Sequence, residues 1–190
     1  VVAVMHGFYK PYYIPAESMM PTLRKNDRFV ASMRGPGELR RGDIVLVRVP
    51  GGDAVYIKRV AALPGDRFAM VAGAVVIDGS PVAQHLVGTE RIEVPPYPRE
   101  ARRLAERFPG EARTHEIYDI GMTTVDDFPE SRIPAGHVFV LGDNRDQSAD
   151  SRVPREQQGL ELVPVENVVG RPLFFTWRAG RGISGESIAD

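Results

Sequence analysis

Between residues 28 and 79 the chain is cut into short runs by turn chemistry, and this punctuation limits the folds open to it. Gly35-Pro-Gly37, Arg41-Gly-Asp43, Pro50-Gly-Gly-Asp53, Pro64-Gly-Asp66 and Asp78-Gly79 supply glycines that reach positive φ and prolines that fix φ. The runs they bound alternate in period two or are dense in β-branched residues. They are Arg28 to Met33, Asp43 to Val49, Ala54 to Ala62 and Ala74 to Asp78, joined later by His137 to Leu141 and Val168 to Trp177. The pattern predicts a β-rich core with tight connections.

Residues 84 to 132 read differently. They hold five prolines and no sustained alternation. Pro98 suits the first turn of a helix and Pro109-Gly110 its end, which predicts a short helix over Arg99 to Phe108. At 190 residues the chain is long enough for one domain carrying an insertion. The expected organisation is a β core from 14 to 83 and from 133 to 178, an inserted cap from 84 to 132, and a mobile glycine- and serine-rich tail from 179 to 190.

Composition narrows the chemistry. A net charge of -1 gives no footprint for nucleic acid, and the absence of cysteine excludes disulfides, thiolate metal sites and a cysteine nucleophile. Of the 24 basic residues only Lys10, Lys25 and Lys58 are lysines; the other 21 are arginines. Lys58 stands inside the apolar run Tyr56-Ile-Lys-Arg-Val60. Arginine keeps its proton in a protein, whereas a desolvated lysine can lose it, so Lys58 is a candidate general base. Taken alone, it reads better as a lysine on a solvated strand face, the usual place for lysine.

Two further segments give that lysine partners. In Ile14-Pro-Ala-Glu-Ser-Met-Met-Pro-Thr-Leu23, Pro15 and Pro21 stiffen the backbone on both sides of Ser18, the preorganisation a weak nucleophile needs. In Gly142-Asp-Asn-Arg-Asp-Gln-Ser-Ala-Asp-Ser-Arg152, Asp143 is the carboxylate expected to pair with Arg59, and Asp150 with Arg152. Such pairs would brace a loop from which Ser148 could orient Lys58. Asp143, Asp146 and Asp150 lack the glycine and terminal glutamate of a calcium loop, so no metal or other cofactor is expected. The histidines at 6, 85, 115 and 137 have no metal-ligand spacing, and nothing supports a serine–histidine pair.

These segments resemble the type I signal peptidases, serine–lysine endopeptidases of family S26 that cut signal peptides from exported proteins. The resemblance is collinear over residues 14 to 23, Arg41 to Val45, Tyr56 to Val60 with Leu63 to Asp66, Pro134 to Arg152 and, more loosely, Val168 to Trp177. It implies an antiparallel β-sandwich or barrel-like core with an inserted α+β cap, Ser18 as nucleophile, Lys58 as base and Ser148 as the residue orienting it. Asp143, Arg145, Asp150, Arg152 and Arg59 would form the structural loop of the site. Substrate would add as an extended strand. Ile14, Pro15, Met19, Leu23 and Tyr56 would line the first pocket, with Tyr12, Phe29, Leu46 and Ile57 near a second. Ala16 departs from the many bacterial members that carry a serine there to assist the oxyanion hole, leaving the Ser18 amide as chief donor.

The first residues fit the same picture. Val1 to Met5 is far too short to span a bilayer, which takes about 20 residues, but it reads either as the end of a trimmed anchor or as a first strand. Tyr9, Lys10, Tyr12 and Tyr13 suit a headgroup region. The resemblance favours the anchor, with residues 1 to 13 as its remnant and the catalytic domain, a monomer, on the outer face of the bacterial cytoplasmic membrane. The expected partners are signal peptides and the lipid surface. Two rivals stand beside this reading: a pilin-maturing serine–lysine peptidase of one substrate, and a domain that binds signal peptides without cutting them.

Overall fold

The computed structural model describes residues 8–49, 52–94 and 96–188. In chain order the strands are β1 (Tyr9–Tyr13), β2 (Arg28–Ser32), β3 (Ile44–Arg48), β4 (Val55–Ala62), β5 (Arg67–Val71), β6 (Ala74–Ile77), β7 (Ser80–Pro81) and β8 (Gln84–Ile92). They continue with β9 (Arg99–Glu106), β10 (His115–Asp119), β11 (Phe128–Arg132), β12 (His137–Leu141), β13 (Val163–Pro164), β14 (Val168–Arg178) and β15 (Gly182–Ile183). The main antiparallel sheet runs β1-β2-β14-β3-β4-β12-β13, with β15 added on β14, and it curls into a half-barrel. The fold is mainly β, as the turn-punctuated sequence predicts.

Why β3 reads as an unbroken apolar run is clear from its position. Ile44 and Leu46 face a cluster with Ile14, Met19, Leu23, Phe29 and Phe175, while Val45 and Val47 face another with Val60, Val138, Val140 and Val168. A strand covered on both faces has no polar side to show. A third cluster joins β4 and β12 to the second sheet, β11-β5-β6-β7, through Ala61, Phe68, Met70, Ile77, Phe139 and Leu141. There Phe68 and Phe139 stack at 4.0 Å between ring centroids.

The insertion departs from expectation. Residues Arg99–Glu106 are not a helix but β9, the middle strand of a separate sheet β10-β9-β8. Eight residues rich in helix formers become a strand because neighbours on both sides satisfy its backbone, and tertiary pairing outweighs a weak propensity. The cap is therefore all β, and its separate sheet ends at Asp119, since β11 returns to pair with β5.

Between residues 179 and 188 the tail is also held by pairing rather than free. The Phe175 amide donates to the Glu186 carbonyl at 2.9 Å and the Ile188 amide to the Leu173 carbonyl at 2.8 Å. Composition marks glycine and serine, yet it cannot reveal a β14 edge waiting to be covered. At the other end, the anchor expectation for residues 1 to 7 lies outside the described residues, while Tyr9–Tyr13 pairs with β2 along its whole length. Among the described residues no helix is long and apolar enough to cross a membrane.

Candidate active site

Ser18 and Lys58 meet although 40 positions separate them. The turn carrying Ser18 is fixed from below by Met19 and Leu23, both buried against Phe29 and Leu46. It is fixed from the side by Asn144, whose amide donates to the Ser18 carbonyl at 3.1 Å and whose side-chain amide donates to the Glu17 carbonyl at 3.2 Å. Lys58 lies in the middle of β4 at 2% exposure, and its Nζ donates to Ser18 Oγ at 3.0 Å and to the Ile57 carbonyl at 3.0 Å. The Tyr56 ring centroid lies 5.3 Å from Nζ.

No carboxylate is hydrogen-bonded to this ammonium among the described residues. Burial pushes the Lys58 amine down to about 8; Asp150 and Asp143 pull it up from a distance, and Arg152 opposes them. Desolvation wins because the attraction acts without direct contact. A lysine of this kind has a substantial neutral fraction near physiological pH, with its lone pair beside a hydroxyl.

One residue further along, Arg59 is treated in the opposite way. Its Nε and Nη2 bind the two oxygens of Asp143 at 2.8 and 2.7 Å, and Nη1 donates to the Gly42 carbonyl at 2.7 Å. Thr22 donates to the same Asp143 carboxylate at 2.5 Å, tying the nucleophile's segment to the pair. Burial works against both charges, yet each outweighs it for the other, so Arg59 is held above and Asp143 below its ordinary value. Asp150 likewise takes Arg152 in two bonds, at 2.9 and 2.8 Å, and accepts from the Gly142 amide at 3.0 Å. Arg152 goes on to the Arg145 carbonyl, and Arg145 to Glu106 in β9. Asp146, the third acid of the loop, accepts from the Ile120 amide and from Thr123.

Ser148 is close by but does not hydrogen-bond Lys58. Its Oγ is buried and without a partner, packed over Gly142. A Cβ at residue 142 would stand 2.5 Å from the Ser18 carbonyl and nearer still to Ser148 Oγ, so only glycine lets the two segments close on each other here. Among the described residues the Ser18 amide has no backbone acceptor.

The expected apolar lining is rearranged. Ile14, Met19, Leu23, Phe29 and Leu46 form one cluster with Tyr12 and Ile57 at its margin, whereas Tyr56 packs into the cluster on the other face of the sheet. Leu23, Phe29 and Leu46 are at 0% exposure, which makes them the backing of the wall, not its surface. Tyr12, Pro15, Ala16, Tyr56 and Ile57 keep exposed area. Sequence reasoning missed Thr22 and Asn144, although both lie inside the quoted segments beside residues it did select. It also missed Glu106, for which no local signal exists.

Comparison with known proteins identifies the family of the chain. The family described as signal peptidase, peptidase S26, matches residues 1–177. Signal peptidase I of Pseudomonas fluorescens is 35% identical over 93% of this chain and 68% of its own length. That of Bacillus licheniformis is 32% identical over 87% of this chain and 75% of its own. Among solved structures, a signal peptidase I from Enterococcus faecalis V583 aligns with 70% of this chain and 96% of its own, at 20% identity and a TM-score of 0.40. The chain belongs to the S26 signal peptidases, proteases that process the signal peptides of preproteins.

Proposed function

We propose that this protein is a membrane-associated endopeptidase that cuts N-terminal signal peptides from exported preproteins with Ser18 as nucleophile and Lys58 as general base. The observation that carries the reading is the 3.0 Å contact between Ser18 Oγ and an amine that burial pushes down to about 8. Neutral Nζ takes the Oγ proton as Oγ bonds to the scissile carbonyl carbon and the carbonyl electrons move onto oxygen. The unoccupied Ser18 amide is the donor available to that oxyanion, since Ala16 brings no hydroxyl. Collapse breaks the C–N bond, and the Lys58 ammonium gives its proton to the departing amine. Water then attacks the ester and loses its proton to Nζ; the proton returns to Oγ as the acyl group leaves.

Ser148, whose hydroxyl is buried without a partner among the described residues, is the positioning residue in this scheme. Core strands on either side of the insertion supply the site, and the exposed rim formed by Tyr12, Pro15, Ala16, Tyr56 and Ile57 would receive an extended chain.

The outer face of the β1-β2-β14-β15 strip supports contact with lipid. Tyr13, Arg28, Trp177 and Ile183 are cross-strand neighbours in one row, and Trp177 and Ile183 are 44% and 89% exposed. Aromatic and aliphatic side chains beside an arginine suit a bilayer interface, here the outer face of the bacterial cytoplasmic membrane. Incubation with several unrelated detergent-solubilised preproteins, with mass mapping of the products, tests the function. Cuts after small-residue sites in all of them are expected. Cleavage of one pilin-like substrate alone would favour the specialised peptidase, and binding without any cut would defeat the enzymatic reading. Vesicle flotation of wild type against Trp177→Ser tests the membrane face, and no flotation of wild type would remove it.

A further inference from the structure

Where the inserted sheet meets the core, six buried charged or titratable side chains come together that the hydrolytic steps do not use. Three are carboxylates, Glu106, Glu111 and Asp143; two are guanidiniums, Arg59 and Arg145; the sixth is His115. Arg59 is bound to Asp143 and lies 3.9 Å from Glu111, and Arg145 is bound to Glu106. Three negative charges thus face two positive ones where water is largely excluded, an imbalance that is costly at low dielectric.

His115 fills the gap. Its Nδ1 is 2.8 Å from Glu111 Oε1 and its Nε2 is 3.1 Å from Glu106 Oε1. An ionised carboxylate only accepts, so both ring nitrogens must donate, and an imidazole protonated on both is an imidazolium. The remaining contacts leave little freedom: Glu111 also accepts from the Phe108 amide at 2.8 Å, Glu106 from Gln84 at 3.0 Å, and the Phe108 ring lies 4.9 Å from the imidazole.

We propose that His115 is a positioning residue for peptide hydrolysis: its imidazolium balances the charges of this cluster and so holds the loop bearing Asp143 and Arg145 against Ser18 and Lys58. The inference rests on the Ser18–Lys58 reading. Burial and the Arg59 charge push the imidazole down, but the hydrogen bonds it donates to Glu106 and Glu111, with Asp143 behind them, outweigh this and hold it above its ordinary value. The sign follows. A group with a raised folded value stabilises fully below its unfolded value and loses that contribution as pH rises through the folded one. Rising pH therefore frees the Lys58 lone pair but also removes the charge that holds the loop positioning it, giving activity a falling alkaline side.

Nitrogen-15 NMR of the histidines in the full chain carrying Ser18→Ala reads the clamp without turnover, with His115 assigned by replacing the other three histidines singly. Both His115 nitrogens protonated at pH 7 is expected; a neutral tautomer there would overturn the proposal. In active protein, His115→Gln should lower kcat roughly tenfold with KM changed less than about twofold, and should abolish the alkaline fall. Adding Glu111→Gln, which restores two charges against two, should recover part of kcat. Wild-type kcat and an unchanged alkaline limb in His115→Gln would contradict the assignment, and if that variant does not fold, the tautomer measurement decides. Failure of the dyad itself would show separately, as activity retained in Lys58→Arg.

Discussion

Lys58 and Arg59 are neighbours on one strand, both buried cations, and the protein gives them opposite surroundings. Arg59 receives a two-point carboxylate, a backbone carbonyl and a second acid 3.9 Å away. Lys58 receives a hydroxyl, a carbonyl and an aromatic ring. One piece of backbone thereby carries a strut and a base side by side. A buried cation with a carboxylate stays charged and ties segments together; one without gives up its proton. In a chain that otherwise uses arginine nearly everywhere, lysine stands where the proton must come off.

The strongest way to break the contrast is to make position 58 resemble position 59. Lys58→Arg should lower cleavage by at least about a thousandfold because a guanidinium stays protonated, and Ser18→Ala should do the same; kcat of either within tenfold of wild type would refute the assignment. The reverse change makes Arg59 resemble Lys58. Asp143→Asn leaves a guanidinium buried without its carboxylate and unable to neutralise itself, so denaturant unfolding should show a loss of about 3–5 kcal/mol.

Gly142→Ala sharpens the comparison by touching the contact between the two segments and neither charge. A methyl 2.5 Å from the Ser18 carbonyl must push the nucleophile's turn away from the loop, and kcat should fall roughly a hundredfold, a typical cost of displacing a reacting group by about 1 Å. Smallest is Ser148→Ala, expected to lower kcat about tenfold with KM nearly unchanged, since it disturbs the base and not the bound chain. An effect confined to KM would move Ser148 into substrate binding.

What the sequence made legible was local. Lys58 in an apolar run, Ser18 between prolines, and the Arg59–Asp143 and Asp150–Arg152 pairs could be read because each rests on a strand period or a short motif. The core strands were legible for the same reason; Arg67–Val71 is the exception, since its apolar residues do not alternate and only Val71 is β-branched. What failed was set at a distance. Arg99–Glu106 has helix-forming residues and helix-like flanks, but only β8 and β10 on either side decide its conformation. Glu106 and His115 look unremarkable in sequence and become part of the site's support once Arg145 reaches them. Leu23, Phe29 and Leu46, expected at the lining, lie beneath it, because apolar residues near a site and apolar residues under it look alike until burial is known.

The central claim, that burial makes Lys58 the base, is best tested on the amine itself. The chain has only three lysines, so carbon-13 labelling of lysine side chains gives three ε-methylene signals, and Lys58→Arg identifies the one that matters. The ordinary value is about 10.5, and burial without a carboxylate lowers it, so the neutral, active form gains population as pH rises through the lowered value. A Lys58 titration near 8 is expected, with an acid limb of kcat/KM at the same pH and unit slope. A Lys58 signal titrating near 10.5, or an acid limb near 6.5 that vanishes when a histidine is replaced, would contradict it.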